Sequence, residues 1–456
     1  MKFIFFILSA VLYLVLSFRN EYSIYENLSI AFFAYILLAF LYDLGKKMVI
    51  LEIIILSAIF SCLIMPIVGY HYFTSQNALA RLWHRSMQVS SDDYFSFMFP
   101  ATVALTLGLK IPIFYRKRLY KDQNTYLENA KKYVANKSRE GLILIAVGVV
   151  ASLIRRLMPP ALDHLVFLLS YLMFVGVFYI IYSEMKNKRM VMIGLFAMLI
   201  LRSIIDGMFG ELVFMAIMTL VLMLLGKQYS FLNKLIVLCA GTLIILIIQV
   251  IKPDYRKETW SKVNSESELS IFTNILSEKL SDPSTLLSNE AVWFNFYSRF
   301  NQGLWISYVQ LRVPRVYPYA DGETIYLSLA GSVVPRFLWP GKPEAGGAYN
   351  FKRFLGMTLK GYSVGISPYG EAWGNFGKNG GIVFMFFFGL MFNFFLRLLL
   401  KISVNVPSLL LWFPLFFFYT VKIETEVFTM VNSFTQTAIF AYLVYRFFPK
   451  IFGGKY

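Results

Sequence analysis

Residues 234–252 read KLIVLCAGTLIILIIQVIK, and PDYR follows at 253–256. Between Lys234 and Lys252 no side chain carries a charge. An uncharged apolar run of about 18 residues is long enough to cross bilayer hydrocarbon as a helix. Lys252 and Arg256 then mark the place where the chain meets water again, and Pro253 predicts that the helix stops there. This segment sets the class of the chain, because runs like it recur along its whole length.

By the same criterion twelve spans are predicted, near 3–18, 28–42, 48–70, 96–114, 141–158, 164–183, 190–205, 208–225, 234–252, 381–399, 408–421 and 431–448. The class is an all-α polytopic membrane protein; a β-barrel would show roughly ten-residue alternating segments. Of 456 residues, 58% are apolar and only 15% charged, which fits. The first run lacks a small-residue cleavage site and is kept as a helix, not a signal peptide. Cys62 and Cys239 both fall in apolar runs and read as small hydrophobic residues.

The net charge of +17 does not point to nucleic acid, because much of it lies in short loops between spans. Lys46 and Lys47, eight basic residues between Arg116 and Arg139, then Lys186, Lys188 and Arg189, then Lys227 and Lys234 all follow even-numbered spans. The positive-inside bias puts these loops and both termini in the cytoplasm. Three regions result: a bundle over 1–252, an external domain over 253–380 and a second set of spans over 381–456.

The external domain has two unlike halves. Residues 253–298 hold four basic and seven acidic side chains, whereas 299–380 hold nine basic and four acidic. SESELSIFTNILSEKL (265–280) predicts an amphipathic helix. NEAVWFNFYSRFNQGLW (289–305) has the aromatic density of a headgroup layer, or of a platform for a sugar or a polyprenyl chain. From Tyr317 to Gly380 turn residues dominate, so short helices and ordered loops are expected. Ionisable groups at the span ends are functional candidates: Arg81, His84 and Arg85, Arg155 and Arg156, Arg202 paired with Asp206, Glu211, Lys252 and Arg256. As a set, these cations suit an anion, since the guanidinium fork matches phosphate oxygens.

Other chemistries lack their patterns. His71, His84 and His164 are scattered without metal-ligand spacing, there is no GxSxG elbow and no P-loop, and no inverted halves suggest a transporter. Group transfer from a lipid-linked diphosphate fits an external site, where nucleotide sugars are absent. It needs cations for the leaving diphosphate and a carboxylate or histidine for the acceptor proton.

VPRFLWPGKP (334–343), GEAWGNFGKNGG (370–381) and KPDYR (252–256) resemble stretches of the Wzy-type O-antigen and exopolysaccharide repeat-unit polymerases, which share an architecture with O-antigen ligases. The resemblance implies a GT-C-like fold without metal or cofactor. It implies that a growing glycan passes from one undecaprenyl diphosphate to a repeat unit on another, in the cytoplasmic membrane and beside a flippase and a chain-length regulator. A ligase acting on another acceptor, or a lipid-linked oligosaccharide flippase, remains open. The resemblance assigns Arg256 and Arg336 to the diphosphate; Lys252, Arg299, Arg353, Lys342 and Arg202 join them. Pro335, Pro340 and Pro343 are expected to aim Arg336 and Lys342 at one place. Trp339, Trp373 and Tyr369 are expected to stack on sugar or lipid. Glu371 is the first choice of base, or else the partner of a loop arginine, with Glu323 and His84 in reserve.

Overall fold

At membrane depth the backbone has no water to bond, so an apolar run satisfies its own N–H and C=O groups by coiling. The computed structural model follows that rule. It describes residues 1–112, 123–207, 209–260, 267–281, 288–334, 338–359 and 363–453, apart from the side chains of Arg156, Pro160, Ala161, Asp163, His164, Asp206, Glu211 and Trp260. Among the described residues every regular element is helical, with one isolated bridge between Leu44 and Lys47.

Among the described residues, seven helices are long and apolar enough to cross a membrane. In chain order the main elements begin with α1 (Lys2–Arg19), α2 (Ile24–Asp43), α3 (Ile50–His71) and α4 (Ser91–Lys110). An amphipathic α5 (Gln123–Val134) precedes α6 (Ser138–Ile154), α7 (Pro160–Tyr182), α8 (Lys188–Asp206), α9 (Gly210–Leu224) and α10 (Phe231–Trp260). Next come α11 (Glu268–Ser281), α12 (Glu290–Phe300), α13 (Gly303–Arg312) and α14 (Glu323–Val333), then the long α15 (Ser367–Ser403) and α16 (Val427–Phe447).

Helix α15 lies tight against α4, and glycine makes this contact possible. A Cβ on Gly108 would stand 2.1 Å from the Phe386 carbonyl oxygen, and one on Gly389 2.5 Å from that of Leu105. Small residues let membrane helices approach backbone to backbone. Asn393 fastens the pair by donating to the carbonyls of Gly108 and Ile111 at 3.1 and 2.8 Å.

The polar connections sort to two ends. At one, Lys2 pairs with Asp43, Lys234 donates to the Leu41 carbonyl, Gly226 N–H meets Gly45 and Lys137 reaches the Lys450 carbonyl. At the other, His71 pairs with Glu26, Asn77 donates to Glu290, Arg256 meets Gly207 and Gly346 meets Glu426. The basic loops thus share one end. The other carries a cap built from α12, α13, α14 and the chain between α14 and α15. A π-helical turn at Phe60–Ile64 ties the cap down, for the Ser61 carbonyl accepts from Gln302 N–H at 3.1 Å, and its Cys62 carbonyl accepts from the Tyr94 hydroxyl of α4 at 2.8 Å.

Three expectations about helices change. Pro253 does not end its helix: α10 runs on to Trp260, because a proline inside a helix removes one hydrogen bond and need not stop the coil where tertiary contacts hold it. Tyr255 supplies such a contact, donating to the Ile204 carbonyl at 2.6 Å. The run 408–421 is not one α-helix. Pro407–Trp412 winds as a 3-10 helix, Phe413–Phe416 adds one α turn, and turns follow. Its side chains are almost all buried, and irregular backbone is tolerated where protein surrounds it. Lastly, α15 starts at Ser367, so 370–380 is helical and not loop. The boundary drawn after 252 therefore falls inside a helix, and the one drawn after 380 falls three residues past the break at Gly377 that divides α15.

Candidate functional site

The cap end of α15 carries Glu371, wholly buried at 0% exposure. Six residues later Gly377 takes φ 65° and ψ −163°, a conformation only glycine adopts readily, and it separates the cap portion of α15 from the apolar portion. Glu371 Oε2 accepts from the Thr324 hydroxyl at 3.1 Å, and Oε1 from the Val427 N–H at 2.7 Å. Val427 begins α16, so its N–H is one that the helix itself leaves without a partner. Asn375 locks the arrangement: its amide donates to Thr324 Oγ1 at 2.7 Å and to the Glu371 carbonyl at 2.8 Å.

A second buried carboxylate lies beside it. Glu426, 2% exposed, immediately precedes α16, where the helix dipole favours negative charge. Its Oε1 accepts from Gly346 N–H and Thr429 Oγ1, each at 3.0 Å, and its Oε2 from Asn350 at 3.1 Å. Burial pushes the Glu426 carboxyl above its ordinary 4.5, against hydrogen bonds from the Gly347 and Gly346 backbone that pull it down. The glycines of PEAGG thus hold a carboxylate. At Gly347 any Cβ would stand 1.8 Å from the Val364 carbonyl oxygen.

Cations gather nearby. Arg299 closes α12 and forks onto Glu424 at 2.6 and 2.9 Å, a bidentate pair about a third exposed on either side. Lys252 and Arg256 sit one turn apart on α10, on one face because Pro253 leaves the helix intact. Arg256 Nε and Nη2 both donate to the Gly207 carbonyl that ends α8, at 3.0 and 2.8 Å. Lys252 is close enough for its charge to act on Arg256, Arg299 and Glu424, and Arg256 on Arg299. Arg299 and Lys252 therefore face Glu424, with Arg256 beside them both, and two residues further along the chain from Glu424 is Glu426.

The other expected site residues lie elsewhere or serve the cap. Arg353 Nε meets Glu323 Oε2 at 3.0 Å, and its remaining nitrogens reach the carbonyls of Pro318 and Tyr319. The Tyr349 hydroxyl donates to the other Glu323 oxygen, and this contact, then Arg353, draws the Glu323 carboxyl below its usual range. Lys342 is buried; its Nζ donates to the Val334 carbonyl at 3.2 Å and lies 5.7 Å from the Phe428 ring centroid. Arg202 is half-buried near the end of α8. His84 is exposed, with φ 50°, in the loop before α4. Trp339 is half-buried. Arg336 lies outside the described residues, as does the Asp206 side chain expected to pair with Arg202.

Tyr369 and Trp373, expected as stacking surfaces, turn inward. Tyr369 is fully buried in the main core, and the Trp373 indole donates to the Val313 carbonyl at 3.0 Å with its ring edge against Phe97. The reason is the early start of α15, which winds both residues onto a packed helix. The aromatics of α12 mostly pack as well: Phe73 stacks on Tyr297, and Phe300 meets Phe60 edge-on. Sequence reasoning missed Glu424 and Glu426. Their signal was KIETE at 422–426, a charged stretch between two short apolar runs.

The chain is a helical membrane protein with buried carboxylates and grouped cations at one capped end. Within it, residues 63–397 match the family described as Domain of unknown function (DUF8712), and the chain belongs to that family. No curated protein and no solved structure matches.

Proposed function

We propose that the chain is a membrane glycosyltransferase of the Wzy-type repeat-unit polymerase kind. It joins undecaprenyl-diphosphate-linked oligosaccharides into a surface polysaccharide at the outer face of the cytoplasmic membrane. In this reading the chain crosses twelve times in a GT-C-like architecture, with 407–425 as the eleventh crossing. The end that gathers Lys2, Lys46, Lys137 and Lys234 is cytoplasmic. The observation that carries the proposal is the convergence of Lys252, Arg256 and Arg299 at the capped end, beside the segment that leads to Glu426 and Glu371.

The chemistry assigns each group a task. The acceptor hydroxyl oxygen bonds to the anomeric carbon of the donor glycan, and the bond from that carbon to the diphosphate oxygen breaks. The lipid diphosphate leaves with the bonding electron pair, and the three cations stabilise its growing charge. The hydroxyl proton passes to Glu371, a step worth about 10²- to 10⁴-fold in rate. Glu371 is sealed as it stands, so its contact with Val427 must open for this step.

The test is glycan chain length on a gel, in cells lacking the protein and complemented with wild type or Glu371→Gln at matched membrane levels. Single repeat units in the null strain, a ladder restored by wild type and none by Glu371→Gln are expected. Long polymer accumulating on its carrier in the null strain would instead indicate a ligase. Unpolymerised carrier facing the cytoplasm would indicate a flippase.

A further inference from the structure

The segment from Glu424 to Val427 joins two features that the proposed reaction uses separately. At its start, Glu424 occupies the bidentate fork of Arg299 within reach of the Lys252 charge. Two residues on, Glu426 is fixed by Gly346, Asn350 and Thr429. At its end, the Val427 N–H occupies Glu371 Oε1. The start is stiff: Thr425 Oγ1 donates to the Tyr419 and Lys422 carbonyls at 3.1 and 2.8 Å. It is also seated, for a Cβ on Gly365 would stand 2.4 Å from the Glu424 carbonyl oxygen. Glu424 and Val427 are three residues apart, so a backbone shift at Glu424 that also breaks the Thr425 and Glu426 contacts reaches Val427.

We propose that Glu424 is a resident counter-ion holding the place of the substrate diphosphate, and that an entering diphosphate displaces it, draws the Glu424–Val427 segment away and frees Glu371. A carboxylate and a phosphate present the same planar pair of acceptor oxygens to a guanidinium, so the fork of Arg299 serves both. A diphosphate carries more charge than a carboxylate and bonds Lys252 and Arg256 as well, so it wins the exchange. The Arg299–Glu424 pair is about a third exposed, which lets the incoming anion reach it. The carboxylate that takes the proton thus stays closed until the leaving group is in place. The inference rests on the proposed function for the identity of the ligand, and adds a latch that the reaction alone does not require.

The test uses the full chain in lipid nanodiscs with inorganic diphosphate as probe. Two quantities are read: the dissociation constant for diphosphate, and amide hydrogen exchange over 424–430 with and without it. Exchange in wild type should rise on adding diphosphate, with the Val427 amide losing protection. Glu424→Gln, which keeps size and shape, should bind diphosphate about threefold tighter, in line with the modest strength of a partly exposed ion pair. It should also show raised exchange before any ligand is added. Arg299→Gln should lose both the binding and the exchange response. Unchanged exchange in wild type at saturating diphosphate overturns the latch, even if Glu424→Gln binds tighter, since lost repulsion alone would explain that. No diphosphate binding by either protein also overturns it. The failures remain separable: a normal glycan ladder with no exchange response sinks the latch and leaves the polymerase, and an exchange response without any polymerisation phenotype does the reverse.

Discussion

The N–H of Val427 donates to Glu371 Oε1 at 2.7 Å, joining the first residue of α16 to the buried carboxylate of α15 across 56 positions of chain. Two elements that end in the same cap are thereby tied at one oxygen atom. That geometry lets a substitution separate chemistry from folding.

Glu371→Gln keeps a carbonyl oxygen for the Val427 N–H but cannot take a proton from an acceptor. It should accumulate in the membrane near wild-type level and lose polymer formation by about 10²-fold or more. Glu371→Ala also leaves the Val427 N–H and Thr324 hydroxyl unsatisfied, which costs about 1–3 kcal/mol for each buried group, so its level should fall too. Quantitative blotting beside the glycan ladder checks both. A Glu371→Gln strain with a full ladder would remove Glu371 from the chemistry.

Arg299→Lys exchanges a fork for a point charge. Because the pair with Glu424 is partly exposed, its loss should cost stability no more than about 1 kcal/mol. The ladder should nonetheless shorten sharply, since the cation no longer matches phosphate in two places. Arg353→Lys is the contrast: Arg353 serves Glu323 and two backbone carbonyls, so polymer per molecule of protein should hold. Equal loss of specific activity in the two variants would count against this division of labour.

Gly389→Val should fail to accumulate. Its Cβ alone would sit 2.5 Å from the Leu105 carbonyl oxygen, and the neighbour is backbone that cannot swing aside. Overpacking costs typically 1–3 kcal/mol where side chains can yield, and more where they cannot. Thermal unfolding in detergent, or protein level where none can be purified, gives the answer. Glycine to alanine at Gly194, where nothing lies within 4 Å, is the matched control and should be neutral.

Glu426 makes a pH prediction with a definite sign. Burial raises its carboxyl above 4.5, so the folded chain holds that proton more tightly than the unfolded chain does. Its contribution to stability is complete below about pH 4.5 and is lost as pH rises through the higher folded value. As pH rises above about 4.5 the melting temperature should therefore fall for wild type, with a shallower slope for Glu426→Gln. Identical slopes would show that Glu426 titrates alike in both states.

Much of the fold was legible because membrane depth leaves a chain few choices. Nine predicted spans up to residue 252 correspond to helices, with the third kinked by a π turn that no composition rule foresees. The eleventh differed because burial in protein, not lipid, satisfies its surroundings, so helix geometry was not enforced over Pro407 and Pro414. In the site, Glu371 was legible as a carboxylate among small and aromatic residues. Its partners Thr324, Glu426 and Val427 were not, because no local pattern records contacts across 47 or 56 positions. Lys252 and Arg256 were read as flanking a helix end at Pro253, whereas they share one face because the helix continues through that proline.

The glycine contact between α4 and α15 also bears on how such a molecule ages under mutation and works under load. With backbone against backbone at Gly108 and Gly389, the two helices have no side-chain cushion to compress and no room to roll. They form an anvil. Motion is taken up more easily above Gly377, in the cap, than between these two helices. A protein built this way can change its cap without retuning its foundation.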